Sequence, residues 1–108
     1  MPYSQRLAER VRHALAAADM TEKKMFGGLG FLTRGNMCVC VWNDLLIARL
    51  GIARAEEALT RPHVRAFDVT GRPMKGWVMV EAEGLETDEQ LELWLDLALA
   101  FTNDLPAK

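Results

Sequence analysis

Cys38 and Cys40, with His13 and His63, are the residue types in this 108-residue chain best suited to bind a metal or attack a substrate. Their spacing suits neither task. A structural zinc site needs a tetrahedral ligand set, commonly with paired cysteines slightly further apart than these. The two histidines are not near each other in sequence. A cysteine nucleophile needs a thiolate, an oriented base and a polar cleft, and nothing in the sequence brings either histidine to the thiols. Cysteine is among the most frequently buried residues, so the pair reads as packing. No catalytic residue, metal site or cofactor is expected.

The carboxylates lead to the same conclusion. From Glu81 to Asp104 there are eight acidic residues and no basic one. Glu89, Glu92 and Asp96 recur at helical spacing on what should be a wet face. Asp88 and Glu89 fall at a helix N-terminus, where negative charge is favoured. This describes a solvated acidic face better than an acid–base pair, and the chain is not expected to be an enzyme.

The candidate partner-binding surface is the basic and aromatic set Arg61, His63, Arg65, Arg72, Lys75 and Trp77. Its two halves flank one expected hairpin, so they are expected to converge. Such a patch suits an acidic protein surface, a nucleotide phosphate or DNA. The plainer alternative is a set of solvated charges at strand ends, some paired with Asp68 or the acidic helix, and exposed pairs of that kind are weak. A net charge of −2 gives no general electrostatic case for nucleic acid.

Met25-Phe26-Gly27-Gly28-Leu29-Gly30-Phe31 is the other chemically suggestive stretch. A phosphate-cradling loop needs a strand, then glycines, then a helix whose first amides face the anion. Here another strand follows, and the helix-opening Lys-Ser/Thr pair is missing. The stretch reads instead as a bent, bulged strand that starts a sheet, with Phe26 and Phe31 anchoring its two halves.

The elements that position these residues follow in order. Ser4 caps a helix to about Ala18, with Leu7, Val11, Ala14, Leu15 and Ala18 on one stripe and Arg6, Arg10 and Arg12 off it. After the glycine stretch and a turn at Gly35 come a strand over Met37–Trp42, a tight Asn43-Asp44 turn and a strand over Leu45–Leu50. Alternation places Cys38, Cys40 and Trp42 on one face and Met37, Val39 and Val41 on the other. Leu46, Ala48 and Leu50 likewise oppose Leu45, Ile47 and Arg49. Both faces of the sheet are then apolar, which requires a cover on the second face from a helix of the chain or a second subunit. A helix over Ile52–Leu59 stops before Pro62. Strands over Val64–Val69 and Trp77–Ala82 follow, joined through turn-forming residues. Thr87-Asp88-Glu89-Gln90 is a capping box that opens a helix to about Asn103. That helix carries one apolar stripe of Leu91, Trp94, Leu95, Ala98 and Phe101, and a neighbouring one of Leu93, Leu97 and Ala100. So wide an arc exceeds what a surface helix needs.

Size and composition fit a single domain over residues 1–108. The polar N-terminus lacks a signal-peptide core, no apolar run reaches membrane-spanning length, and two closely spaced cysteines do not make a disulfide framework. A soluble cytoplasmic protein is expected.

The order helix, three strands, helix, two strands, helix, with Met25-Phe26-Gly27-Gly28 after the first helix, Gly35 in the hairpin and Gly71-Arg72-Pro73-Met74-Lys75-Gly76-Trp77 before the last strand, resembles the N-terminal domain of the TfoX/Sxy family. The resemblance covers nearly the whole chain. It implies an α+β fold of order α-β-β-β-α-β-β-α: a two-layer antiparallel sheet with helices packed on it, similar in topology to type III secretion chaperones. Named members are regulators of bacterial competence, acting with a transcription factor, and carry a C-terminal helical domain that this chain is expected to lack. The resemblance implies no catalytic residue. The expected function is that of a small regulatory or adaptor domain working through protein–protein contacts, as a homodimer and in transcriptional regulation. The alternatives are a nucleic-acid-binding module using the basic hairpin and a small-ligand-binding domain.

Overall fold

A computed structural model describes residues 3–25, 27–68, 71 and 74–107. Helix α1 spans Gln5–Ala14, and the Ser4 hydroxyl accepts a hydrogen bond from the Leu7 N–H at 3.1 Å, which satisfies one of the amides left free at a helix start. The helix is shorter than its apolar stripe suggests. At Leu15 the bonds tighten to the three-residue spacing of Ala16 N–H to the His13 carbonyl and Ala18 N–H to the Leu15 carbonyl, and the chain turns while Leu15 stays buried.

The glycine stretch divides at Gly27, where φ is +78°, into two antiparallel strands, β1 (Thr21–Met25) and β2 (Gly28–Thr33). The expected order of helices and strands holds, with the first expected strand folded back on itself. Phe31 anchors β2 in the core at 1 % exposure; Phe26 lies outside the described residues. An Arg34-Gly35 turn with both φ values positive leads to β3 (Asn36–Trp42), as a two-residue hairpin matching the strand twist requires. Asn43-Asp44 leads to β4 (Leu45–Arg49), then α2 spans Ile52–Ala58. The last two strands are shorter than their apolar patterns suggest: β5 is Val64–Ala66 and β6 is Trp77–Val80. Val69, expected to end the first of these strands, and the expected turn residues Thr70, Arg72 and Pro73 lie outside the described residues. Helix α3 spans Asp88–Thr102 behind a complete capping box, Thr87 and Gln90 each bonding the other's backbone N–H.

The six strands form one antiparallel sheet in the order β1-β2-β3-β4-β6-β5. All three helices pack on one face, where Leu7, Val11, Ala55, Ala58, Leu91, Trp94, Leu95 and Ala98 meet Phe31, Val39, Val41, Leu46, Ala48, Val78 and Val80. This is the expected two-layer α+β arrangement. Arg34 reinforces it by donating to the Thr102 and Asn103 carbonyls at 3.1 and 2.8 Å, a cation at a helix C-terminus where the dipole favours it.

The second face is apolar as expected, with Met37, Cys40, Leu45, Ile47, Phe67 and Met79 buried together. Neither a helix nor a second chain is needed for its cover. Phe67, just after β5, packs on this face at 0 % exposure, and the Met74 N–H donates to the Phe67 carbonyl at 2.9 Å. Trp42, Trp77, Met25, Leu32 and Met74 remain half-buried around it.

One expectation about this sheet is overturned. Phe31 pairs with Val39, but the next residue, Leu32, pairs with Met37. Cys38 is therefore an extra residue on β3, a β-bulge that breaks the period of two. Cys38 joins Val39 in the helix-side core, while Cys40 lies on the opposite face with Met37. The two thiols do not share a face.

Candidate functional site

The bulge decides the thiol chemistry. Both cysteines are fully buried, free and separated by the sheet. Burial disfavours the thiolate, pushing Cys38 from an ordinary 9.0 up to about 11 and Cys40 to about 12. For Cys38 burial outweighs the opposing effects of the Thr102 hydrogen bond and the charge on Arg49. Because the folded-state values are raised, the stability linked to keeping these thiols neutral is fully present below about pH 9 and is lost as pH rises towards 11 to 12. We therefore expect native-state alkylation at pH 8 to run at least about tenfold slower than in the urea-unfolded chain, since only the thiolate reacts. Equal rates, read by mass spectrometry, would contradict the burial. Among the described residues no group of three or more His, Cys, Asp and Glu side chains is arranged to hold a metal ion.

The basic and aromatic set does not form one patch. Arg61 lies on the helix side, its guanidinium carbon 5.7 Å from the centroid of the Trp94 ring on α3. His63 is exposed and adopts φ +66°, while its carbonyl accepts the Glu81 N–H at 2.8 Å. Arg65 is opposite Met79 in the β5–β6 register and so belongs to the second sheet face. Lys75 is exposed in the turn before β6. Trp77 is half-buried on the second face, 5.7 Å from the Phe67 ring. Arg72 lies outside the described residues. The expected convergence fails because the chain breaks its extended run at His63, before β5 begins, so Arg61 falls on the helix side while Arg65 falls on the second face. Among the described residues the set divides, with Arg61 and His63 lining one hollow on the helix side and Arg65 and Trp77 on the second sheet face.

Arg61 and His63 border a groove between α2 and α3. It comprises two adjoining hollows of about 170 and 210 Å³ that share Arg61, Leu93 and Trp94. Arg54, Glu57 and Leu97 extend it along the helices, while His63, Gly84 and Gln90 close the other end. Leu93 is 40 % exposed and lines both hollows. Cations flank this apolar floor on the α2 side, and Glu89, Glu92 and Asp96 are exposed on α3. The hollows beside α1 are larger, about 340 and 510 Å³, but their walls mix Arg6, Arg10 and His13 with Asp44, Glu86, Asp88, Glu9 and Glu92. Arg10 is already paired with Asp88 there at 3.5 Å. We place the candidate surface at the α2–α3 groove, where exposed apolar area and charge occur together.

One participant in the groove, and one cation outside it, went unrecognised in the sequence. Arg54 looks like any surface arginine until α2 is docked against α3. Arg49 lies 5.3 Å from the Trp77 ring centroid and 5.4 Å from that of Phe101; its signal was the single cation closing an apolar strand. No helix among the described residues is long and apolar enough to cross a membrane.

A protein-family model, the TfoX N-terminal domain, matches residues 5–102. No curated protein and no solved structure matches the chain.

Proposed function

The chain belongs to the TfoX N-terminal domain family, and we propose that it is a small non-enzymatic regulatory or adaptor domain that acts through protein–protein contacts. In this reading it serves transcriptional regulation from the cytoplasm, where its two thiols stay reduced. The α2–α3 groove carries the proposal: Leu93 and Leu97 offer apolar area to a partner, while Arg54 and Arg61 beside them select its charge. Arginine and a nearby tryptophan are the residue types that most often dominate binding energy. The nucleic-acid alternative loses its single basic surface, because Arg61 and Arg65 lie on opposite sides of the sheet.

The test is affinity capture from nuclease-treated lysate with three baits: wild type, Arg54→Glu with Leu93→Glu, and Arg65→Ala with Lys75→Ala. We expect a protein held by the wild type and the last variant to fall at least about tenfold on the groove variant, as loss of an interface anchor implies. Equal recovery on all three baits, or capture of no protein after cross-linking, would refute the reading.

A further inference from the structure

Resting on the groove reading above, we propose that the occupant of this surface is a second copy of the chain, packed with its α3 parallel to the first. The argument comes from the order of side chains around α3. Leu91, Trp94, Leu95 and Ala98 face the core. Away from the core, at the helical repeat of about 100° per residue, exposed Ala100 and Leu93 run into Leu97, which is half-buried against the core on the α2 side, and the three form one apolar stripe. This stripe is bounded on one flank by Glu89, Glu92 and Asp96, all exposed. On its other flank, α2 sets Arg54 and Arg61 beside Leu93 and Leu97.

An apolar seam with acid along one edge and base along the other is complementary to itself, but in one orientation only. When two such surfaces face each other across a two-fold axis parallel to α3, the acidic edge of each copy meets the basic edge of the other. If the axis crosses α3 instead, the helices run antiparallel and acid meets acid, a repulsion that excludes that alignment. The parallel arrangement is isologous, so Leu93 meets its own counterpart, as does Ala100. Glu57 is the one acid on the basic edge, and it leaves that edge net positive. On the other side Arg10 pairs with Asp88 and Glu92 also borders the hollow beside α1, so Glu89 and Asp96 are the acids that face the partner most directly.

The experiment is a charge swap read by sedimentation equilibrium at low salt. One variant carries Arg54→Glu and Arg61→Glu, and so has two acidic edges. The other carries Glu89→Arg, Glu92→Arg and Asp96→Arg, and so has two basic edges. All five positions are exposed, and circular dichroism checks that each variant folds. The wild type is expected to weigh two chains, each variant alone one chain, and an equimolar mixture two chains. Cysteine placed at the seam by Leu93→Cys or by Ala100→Cys is expected to cross-link each variant to itself, against buried native thiols that stay silent. A monomeric wild type at high micromolar concentration, or variants that do not associate when mixed, overturns the proposal. So does an Ala100→Cys variant that cross-links only to Leu93→Cys. If the wild type is monomeric yet a different protein is lost from the groove variant in the capture experiment, the adaptor reading survives and only the second-copy assignment fails.

Discussion

Substituting Gly28→Ala is expected to destabilise the fold by about 3 kcal/mol, the upper end for inserting one methyl group into a packed interior. A Cβ at this position would sit 2.3 Å from the Val41 carbonyl oxygen and 3.2 Å from Cys40 Sγ. The oxygen belongs to β3, which pairs with β2 on one side and β4 on the other. Neither strand can give way without disturbing a ladder. Gly30 provides the control. Its added Cβ would meet Met25 Sδ at 2.9 Å and the Lys23 carbonyl oxygen at 3.3 Å. The methionine side chain is flexible and can change rotamer and β1 is an edge strand, so Gly30→Ala is expected to cost about 1 kcal/mol, the lower end of that range. Urea denaturation of the two variants measures the difference. Equal midpoints would show that the close approach at Gly28 relaxes freely. The requirement for glycine here is steric, since only Gly27 of this stretch has positive φ.

A loss of about 3–5 kcal/mol is expected for Phe67→Ala, a large fraction of the stability of a domain this size. Phe67 is fully buried and is the central cover of the second sheet face, touching the cluster of Met37, Cys40, Leu45, Ile47 and Met79. Removing it leaves a cavity and also uncovers one side of the sheet. The two cysteines lie on opposite faces and therefore report which side opens. Alkylation of Cys40 should accelerate more than that of Cys38 in conditions where the variant remains folded. Equal acceleration would mean that both thiols react through global unfolding. A stability loss below about 1 kcal/mol would mean that Phe67 does not act as a cover.

Much of the fold was legible because the signals involved are local. The Thr87–Gln90 capping box, the Ser4 cap and the Arg34-Gly35 and Asn43-Asp44 turns depend on residues within one turn of each other, and each forms as read. The two apolar faces were legible from Leu45–Leu50, where alternation is unbroken. β1 was not, because Thr21-Glu22-Lys23-Lys24 is exposed and carries no apolar pattern; pairing with β2 makes it a strand. In the candidate site, the Leu93 and Leu97 stripe was visible as an arc too wide for one buried face. The cations that accompany it were not, because Arg54 is brought there by the packing of α2 on α3.

The sequence by itself determined the α+β class, the order of helices and strands, the two-sided apolar sheet and the resemblance to the TfoX N-terminal domain. These rest on periodicity, caps and turn residues, whose energetics are settled over a few neighbouring positions. Tertiary structure alone decided that Cys38 and Cys40 lie on opposite faces, that Phe67 and Met74 close the second face, and that the basic set is divided across the sheet. The first of these depends on which residue of β3 pairs with which residue of β2, and the other two on where segments outside the strands pack. A bulge shifts that register by one and reverses the facing of every side chain beyond it, and the residue types along the strand do not reveal where the shift occurs.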